Sequence, residues 1–247
     1  MLGLKKDKMT EKVNGITLRA VNYKDSDRIL TLFTLEKGKI TANARGVRKA
    51  NAKMKQVAEP FCFAETILAE KSGRYTVTEI NSFDAFYPIR CDLEKYYAGM
   101  TALELTDAIL PDGLESASHF VLLVELLKKL AYKSVNAINL LVKFFYDVAI
   151  EHGYSINLAS CGRCGAVIEE KVFLSLKDGC CVCEECKKHG ENGFSIDTYK
   201  YLKRVSEGNL DFEEKESAKN GLRFFAYYFS KVISLNLKCL AMLIDLP

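Results

Sequence analysis

The sequence predicts an α+β chain: a β-rich N-terminal third, then a helical body interrupted by a cysteine cluster. Three observations predict it. Apolar residues recur at period two up to Ile80 and at helical spacing after Tyr87-Pro88. Turn-forming residues punctuate the first part, and a capping residue opens the second. Six of the nine cysteines fall between Cys161 and Cys186, a clustering that points to a metal.

The strands follow in order. Val13 to Ala20 alternates, and Arg28 to Leu35 (RILTLFTL) is apolar and β-branched. Glu36-Lys37-Gly38 turns the chain into Lys39 to Ala44. After a longer polar excursion, Pro60 to Leu68 is a fourth strand, and Lys71-Ser72-Gly73-Arg74 turns into Tyr75 to Ile80. Five short strands with one long connection suit a small barrel; a five-stranded open sheet has the same periodicity.

Asp92 caps a helix from Leu93 to Leu110, stopped by Pro111-Asp112-Gly113. Leu114 to Tyr132 and Val135 to His152 carry apolar residues at helical spacing. Helix resumes over Ile196 to Ser206 and over Phe212 to about Met242, with a break expected at Asn220-Gly221. Phe224 to Phe229 is apolar all round, so it is core or a partner surface.

Cys161-Gly-Arg-Cys164-Gly and Cys183-Glu-Glu-Cys186 form two Cys-x2-Cys knuckles. A tight turn brings both sulfurs of a knuckle to one ion, and a glycine after the second cysteine allows the positive φ that turns the chain away. Cys180 and Cys183 also have this spacing, and His189 lies three residues past Cys186. The pair Cys183 and Cys186 repeats the first knuckle and is preferred. Cys161, Cys164, Cys183 and Cys186 are therefore the expected ligands of one structural Zn2+ per chain. Four thiolates leave no open position for a catalytic water.

The composition excludes several classes. With 49% hydrophobic and 27% charged residues over 247 positions, the chain is neither disordered nor fibrous. The charged opening residues have no apolar run long enough for a signal peptide, so none is expected, and no apolar run is long enough to span a membrane. No phosphate-binding glycine loop, dinucleotide fingerprint or nucleophile elbow occurs. A zinc deaminase would need a His-x-Glu before a Pro-Cys-x-x-Cys, which is missing. Asp25-Ser26-Asp27 reads as a turn and cap rather than a cation site. An enzyme is not supported.

The formal net charge of +3 hides an asymmetry: residues 1–80 carry +7 and residues 81–247 carry −4. Lys37, Lys39, Arg45, Arg48, Lys49, Lys53 and Lys55 form a stretch without an acidic residue. Such a field is the footprint of a polyanion, so these seven are the candidate phosphate contacts. Tyr23, Arg28 and Phe33 are weaker candidates.

The run Gly15 to Arg19, then Tyr23-Lys24-Asp25-Ser26-Asp27-Arg28-Ile29-Leu30-Thr31-Leu32-Phe33-Thr34, Gly38-Lys39-Ile40 and Ala44-Arg45-Gly46-Val47-Arg48-Lys49 resembles the opening of the RecO family of bacterial recombination mediators. The Cys161 to Cys186 arrangement is similar to its zinc-bearing members. The resemblance implies an OB-type barrel (1–82), a helical domain in two parts (83–158 and 191–247) and an inserted four-cysteine zinc finger (159–190). It also implies a non-enzymatic protein that binds single- and double-stranded DNA and anneals complementary strands. The implied partners are RecR, the C-terminal tail of single-strand-binding protein and, indirectly, RecA, in the cytoplasm at the nucleoid. An RNA-binding protein pairing such a barrel with a zinc ribbon would carry the same basic field and is the alternative.

Overall fold

A computed structural model describes residues 10–52, 54–55 and 58–246. It divides into two compact units, residues 1–87 with 103–120, and residues 88–102 with 121–247.

The first unit holds β1 (Thr10–Tyr23), β2 (Asp27–Thr34), β3 (Gly38–Ala44), β4 (Phe63–Lys71) and β5 (Arg74–Asp84). They close into a barrel in the order β1-β2-β3-β5-β4. Every pairing is antiparallel except β3 with β5, which run parallel through Ala42–Ala44 and Tyr75–Val77. Closure rests on the length of β1. Its first half pairs with β4, its second half with β2, and an irregularity at Leu18 bends it between the two. A closed barrel, rather than an open sheet, leaves no unpaired edge. Val13, Leu30, Leu32, Ile40, Ala42, Leu68 and Val77 fill its interior.

β2 reads as continuously apolar because both its faces are covered. Leu30 and Leu32 point inward, while Phe33 is buried against His119 and Phe120, with ring centroids 5.6 and 5.4 Å away. The covering segment, residues 103–120, includes the end of α1 (Leu93–Ile109) and the first turn of α2 (Ala117–Tyr132). Gly38 fits beneath it only as glycine: φ is +61°, and a Cβ would lie 2.1 Å from the Leu114 carbonyl oxygen. Asp92 does cap α1, accepting from the Lys95 amide at 3.0 Å.

The second unit is helical, with α2 continuing into it. It adds α3 (Ala137–Glu151), α4 (Ile196–Ser206), α5 (Lys215–Val232) and α6 (Lys238–Ile244). A three-stranded antiparallel sheet, β6 (Val172–Ser175), β7 (Cys180–Cys183) and β8 (Asn192–Phe194), is inserted between α3 and α4 in the order β7-β6-β8. The aromatic run is core: Phe225 and Phe229 are buried against Phe145, at 5.5 and 5.4 Å between centroids. Asn139 supplies the polar tie. Its Nδ2 donates to the Leu210 and Phe212 carbonyls at 3.0 and 2.9 Å, and its Oδ1 accepts from the Tyr201 hydroxyl at 2.8 Å.

The expected break at Asn220-Gly221 does not exist, because α5 runs through it and ends at Val232. Gly221 is there for proximity: a Cβ would lie 2.7 Å from Tyr201 Cε1, so the small residue lets α4 and α5 approach. The helix gives up some local propensity for that packing. No helix of the described residues is long and apolar enough to cross a membrane.

Candidate nucleic-acid face and metal centre

The six described residues of the basic stretch fall at two places on the barrel. Lys37 and Lys39 lie at the turn end of the β2–β3 hairpin, where Thr34 pairs with Gly38. Arg45 follows the other end, where Arg28 pairs with Ala44. The six-residue advance from Gly38 to Ala44 separates the ends by about 20 Å of strand. Both hairpin lysines are engaged within the fold. Lys37 Nζ meets the Glu11 carboxylate at 2.5 Å, and that bond, helped by Tyr75, holds its pKa above the usual lysine value despite desolvation. Lys39 Nζ donates to the Asp107 carbonyl at 2.6 Å and lies 3.3 and 3.4 Å from the Asp107 and Asp112 carboxylates.

Arg45, Arg48, Lys49 and Lys55 are exposed on the connection between β3 and β4; Lys53 lies outside the described residues. This connection is pinned rather than loose. Val47 and Ala58 insert into the barrel core. The Gly46 amide donates to Asp27 Oδ1 at 2.8 Å, and the Arg48 amide to the Ser26 carbonyl at 3.0 Å. Arg48 Nη1 donates to the Lys24 and Asp25 carbonyls at 3.1 and 3.3 Å. Arg28 reaches from β2 to the Ala58 carbonyl at 2.6 Å and to Glu59, so its charge is engaged too. Asp27 thus acts as a turn anchor. These contacts set Arg45, Arg48 and Lys49 beside the β1–β2 turn, where Lys24 lies 5.3 Å from the half-exposed Tyr23 ring. Lys24 was not among the expected contacts; only this loop-to-turn pinning brings it in. Phe33 is fully buried.

In the second unit, the sulfurs of Cys161, Cys164, Cys183 and Cys186 lie within 4.8 Å of one another. Cys164 and Cys183 Sγ are 3.8 Å apart. Two sulfurs each about 2.3 Å from one tetrahedral ion stand about 3.8 Å apart, so the spacing fits a four-thiolate zinc site. Gly165, with φ +75°, turns the chain away as expected. Burial alone would push the Cys161 thiol up. The amides of Cys183, Cys164 and Arg163 outweigh it and hold that thiol at about 6; the Cys183 amide donates at 3.4 Å. Hydrogen bonds to the Cys164 and Cys183 sulfurs push Cys186 up to about 12. Such crowding of thiols around a negative sulfur is what a divalent cation relieves. Cys180 and Cys181 are buried outside this group, and His189 is exposed.

Arg163, between the first two cysteines, holds the knuckles in register. It pairs with Asp178 at 2.7 Å and Glu191 at 2.5 Å, and donates to the Cys186 carbonyl at 2.6 Å. The Arg163 hydrogen bond lowers Glu191 to about 2.

Comparison with known proteins finds two family profiles. "Recombination protein O N terminal" matches residues 9–86, and "Recombination protein O C terminal" matches residues 90–241. Among curated relatives, a protein of Pelobacter propionicus named DNA repair protein RecO is 31% identical over 218 residues, covering 85% of this chain and 87% of its own. Proteins of the same name from Clostridium perfringens (30% over 202 residues, 80% of each chain) and Syntrophomonas wolfei (26% over 218 residues, 87% and 86%) are also similar.

Proposed function

The chain belongs to the recombination protein O family, and from that premise we propose that it is a non-enzymatic DNA-binding mediator of recombinational repair. On this reading it binds single- and double-stranded DNA and anneals complementary single strands. With RecR and the C-terminal tail of single-strand-binding protein it assists RecA loading, in the cytoplasm at the nucleoid. Residues 1–82 carry the nucleic acid, buttressed by 103–120. Residues 159–190 hold the metal, and 83–158 with 191–247 form the helical body.

The observation that carries the reading is the pinned cationic connection on a closed barrel. The backbone that carries Arg45, Arg48 and Lys49 is held before any ligand arrives, as is the Arg48 side chain, so ordering the loop itself costs little on binding. Lys53 and Lys55 extend the same stretch. Phosphates track these cations while a base stacks on Tyr23. Lys37 and Lys39 add to the long-range field but are neutralised at close range by Glu11, Asp107 and Asp112.

Cys161, Cys164, Cys183 and Cys186 are the residues that would hold one structural Zn2+. The ion cross-links two knuckles that have little apolar core of their own. Arg163 aligns those knuckles through Asp178, Glu191 and the Cys186 carbonyl.

The test is annealing of complementary strands, bare and coated with single-strand-binding protein, in zinc-replete buffer. Annealing of both is expected. Five phosphate contacts give a slope of log K against log salt of about −3.5 on single strands. Failure to anneal coated strands, together with tighter binding of RNA, would transfer the barrel to an RNA-binding role.

A further inference from the structure

The helical unit carries a second cationic surface that its sequence conceals, since residues 81–247 total −4. Between the finger sheet and α5 lies a cavity of about 420 Å3, within the range of small-ligand clefts. Its walls are rings. Phe194 and Phe224 have centroids 5.0 Å apart, and Tyr227 accepts a hydrogen bond from Asn192 Nδ2 at 2.9 Å. Leu174, Asn192 and Tyr227 also line an adjoining cavity of about 340 Å3.

Cations surround the pair. Arg223 lines the first cavity, and Lys177 and Lys188 line the second. Lys231 Nζ lies 5.7 Å from the Tyr227 ring, and Lys187 Nζ lies 4.3 Å from the Phe173 ring. The carboxylates of the second cavity, Asp178 and Glu191, are both held by Arg163. Arg223 donates to Asn220 Oδ1 at 2.7 Å, and the one carboxylate it meets among the described residues is the exposed Glu216 at 3.7 Å, a pair of little strength. Lys177, Lys187, Lys188 and Lys231 make no salt bridge among the described residues.

Ring faces flanked by cations that are unpaired or only weakly paired hold single-stranded nucleic acid: bases stack on the rings and phosphates follow the cations. A peptide carboxylate needs one cation, whereas several spread over adjoining cavities match a backbone of repeating charge. We propose that this groove is a second single-strand site. One unstacked base sits against Phe194 and Tyr227, with the buried Phe224 ring behind them, and the neighbouring phosphates run along Arg223, Lys177 and Lys188. The site does not depend on the barrel reading. A chain with both faces holds two strands, which is the geometric requirement of annealing.

The chain contains no tryptophan, so Tyr227→Trp places a single indole reporter at the partly buried ring. In the zinc-loaded full-length protein, oligothymidylate is expected to quench it saturably. Arg223→Gln in that background should lower the salt slope by about 0.7, and Phe194→Ala should weaken the quench about 5- to 150-fold, the range for one stacked base. Cross-linking of the unaltered chain with an iodouracil-containing oligonucleotide guards against distortion by the indole; adducts on Tyr227 or Phe194 are expected. An unquenched indole while anisotropy reports bound oligonucleotide, or adducts confined to residues 10–87, would overturn the proposal. Quenching solely by an acidic peptide with an apolar end would assign the groove to a protein partner and also overturn it. Adding Arg45/Arg48/Lys49→Gln to the reporter protein separates the two readings. Loss of the salt slope there with an unquenched indole sinks the groove alone, and an unchanged slope with retained quenching sinks the barrel face alone.

Discussion

Lys39→Met removes the ammonium that ties β3 to the end of α1 while keeping most of the aliphatic stem. In the structure Nζ donates to the Asp107 carbonyl at 2.6 Å and lies 3.3 Å from the Asp107 carboxylate. The side chain is only 12% exposed. The Asp112 contact at 3.4 Å involves a carboxylate that is 85% exposed and adds little. A hydrogen bond involving a charged group contributes a net ~1.5–3 kcal/mol, so the expected loss is about 2 kcal/mol. At about 2–4 °C per kcal/mol for a chain of this size, Tm should fall by about 4–8 °C. Thermal unfolding followed by circular dichroism checks that. Parallel titrations of single-stranded DNA at several salt concentrations check the other half of the argument. A lysine seated on a phosphate contributes about 0.7 to the salt slope, and Lys39, engaged by Asp107, should contribute none. An unchanged Tm with a slope reduced by about 0.7 would refute the reasoning and return Lys39 to the DNA contacts.

Replacing Arg45, Arg48 and Lys49 together by glutamine should reduce the salt slope by about 2, measured by fluorescence anisotropy, with a small fall in Tm from the lost Arg48 bonds to the Lys24 and Asp25 carbonyls. Cys183→Ser should abolish the stoichiometric metal measured by elemental analysis, and exchange protection should fall in β6, β7 and β8 as the finger unfolds; retention of one ion per chain would discard the ligand assignment. Asn139→Leu strands the buried Tyr201 hydroxyl and two carbonyls, and denaturant unfolding should show a loss of about 3 kcal/mol.

Features with local causes were legible. Strand alternation, the Asp92 cap and the span Ile196 to Ser206 follow from periodicity and capping chemistry, and the structure has them. The four-thiolate cluster follows from spacing, because a Cys-x2-Cys turn brings two sulfurs together whatever surrounds it. Gly221 misled because intrinsic propensity speaks for an isolated helix, while its role is to admit the Tyr201 ring. The basic stretch was legible as a stretch and not as a face. Lys39 finds both its carbonyl acceptor and its carboxylate at Asp107, 68 residues away, and no window of sequence reports that pairing.

By itself the sequence determined the β-then-α order, the metal-binding chemistry and the basic character of the barrel's connections. These depend on residues close in the chain, whose spacing sets which side chains share a face or an ion. Only the tertiary structure decided that the five strands close, since closure needs β1 to pair with both β2 and β4 and β3 to meet β5 in parallel. It also decided which cations are paired inside the fold and which are exposed. Burial and neutralisation are set by partners brought together from distant segments: Lys37 and Lys39 meet acids within their own unit, while Arg45, Lys49 and the lysines around Tyr227 stay exposed.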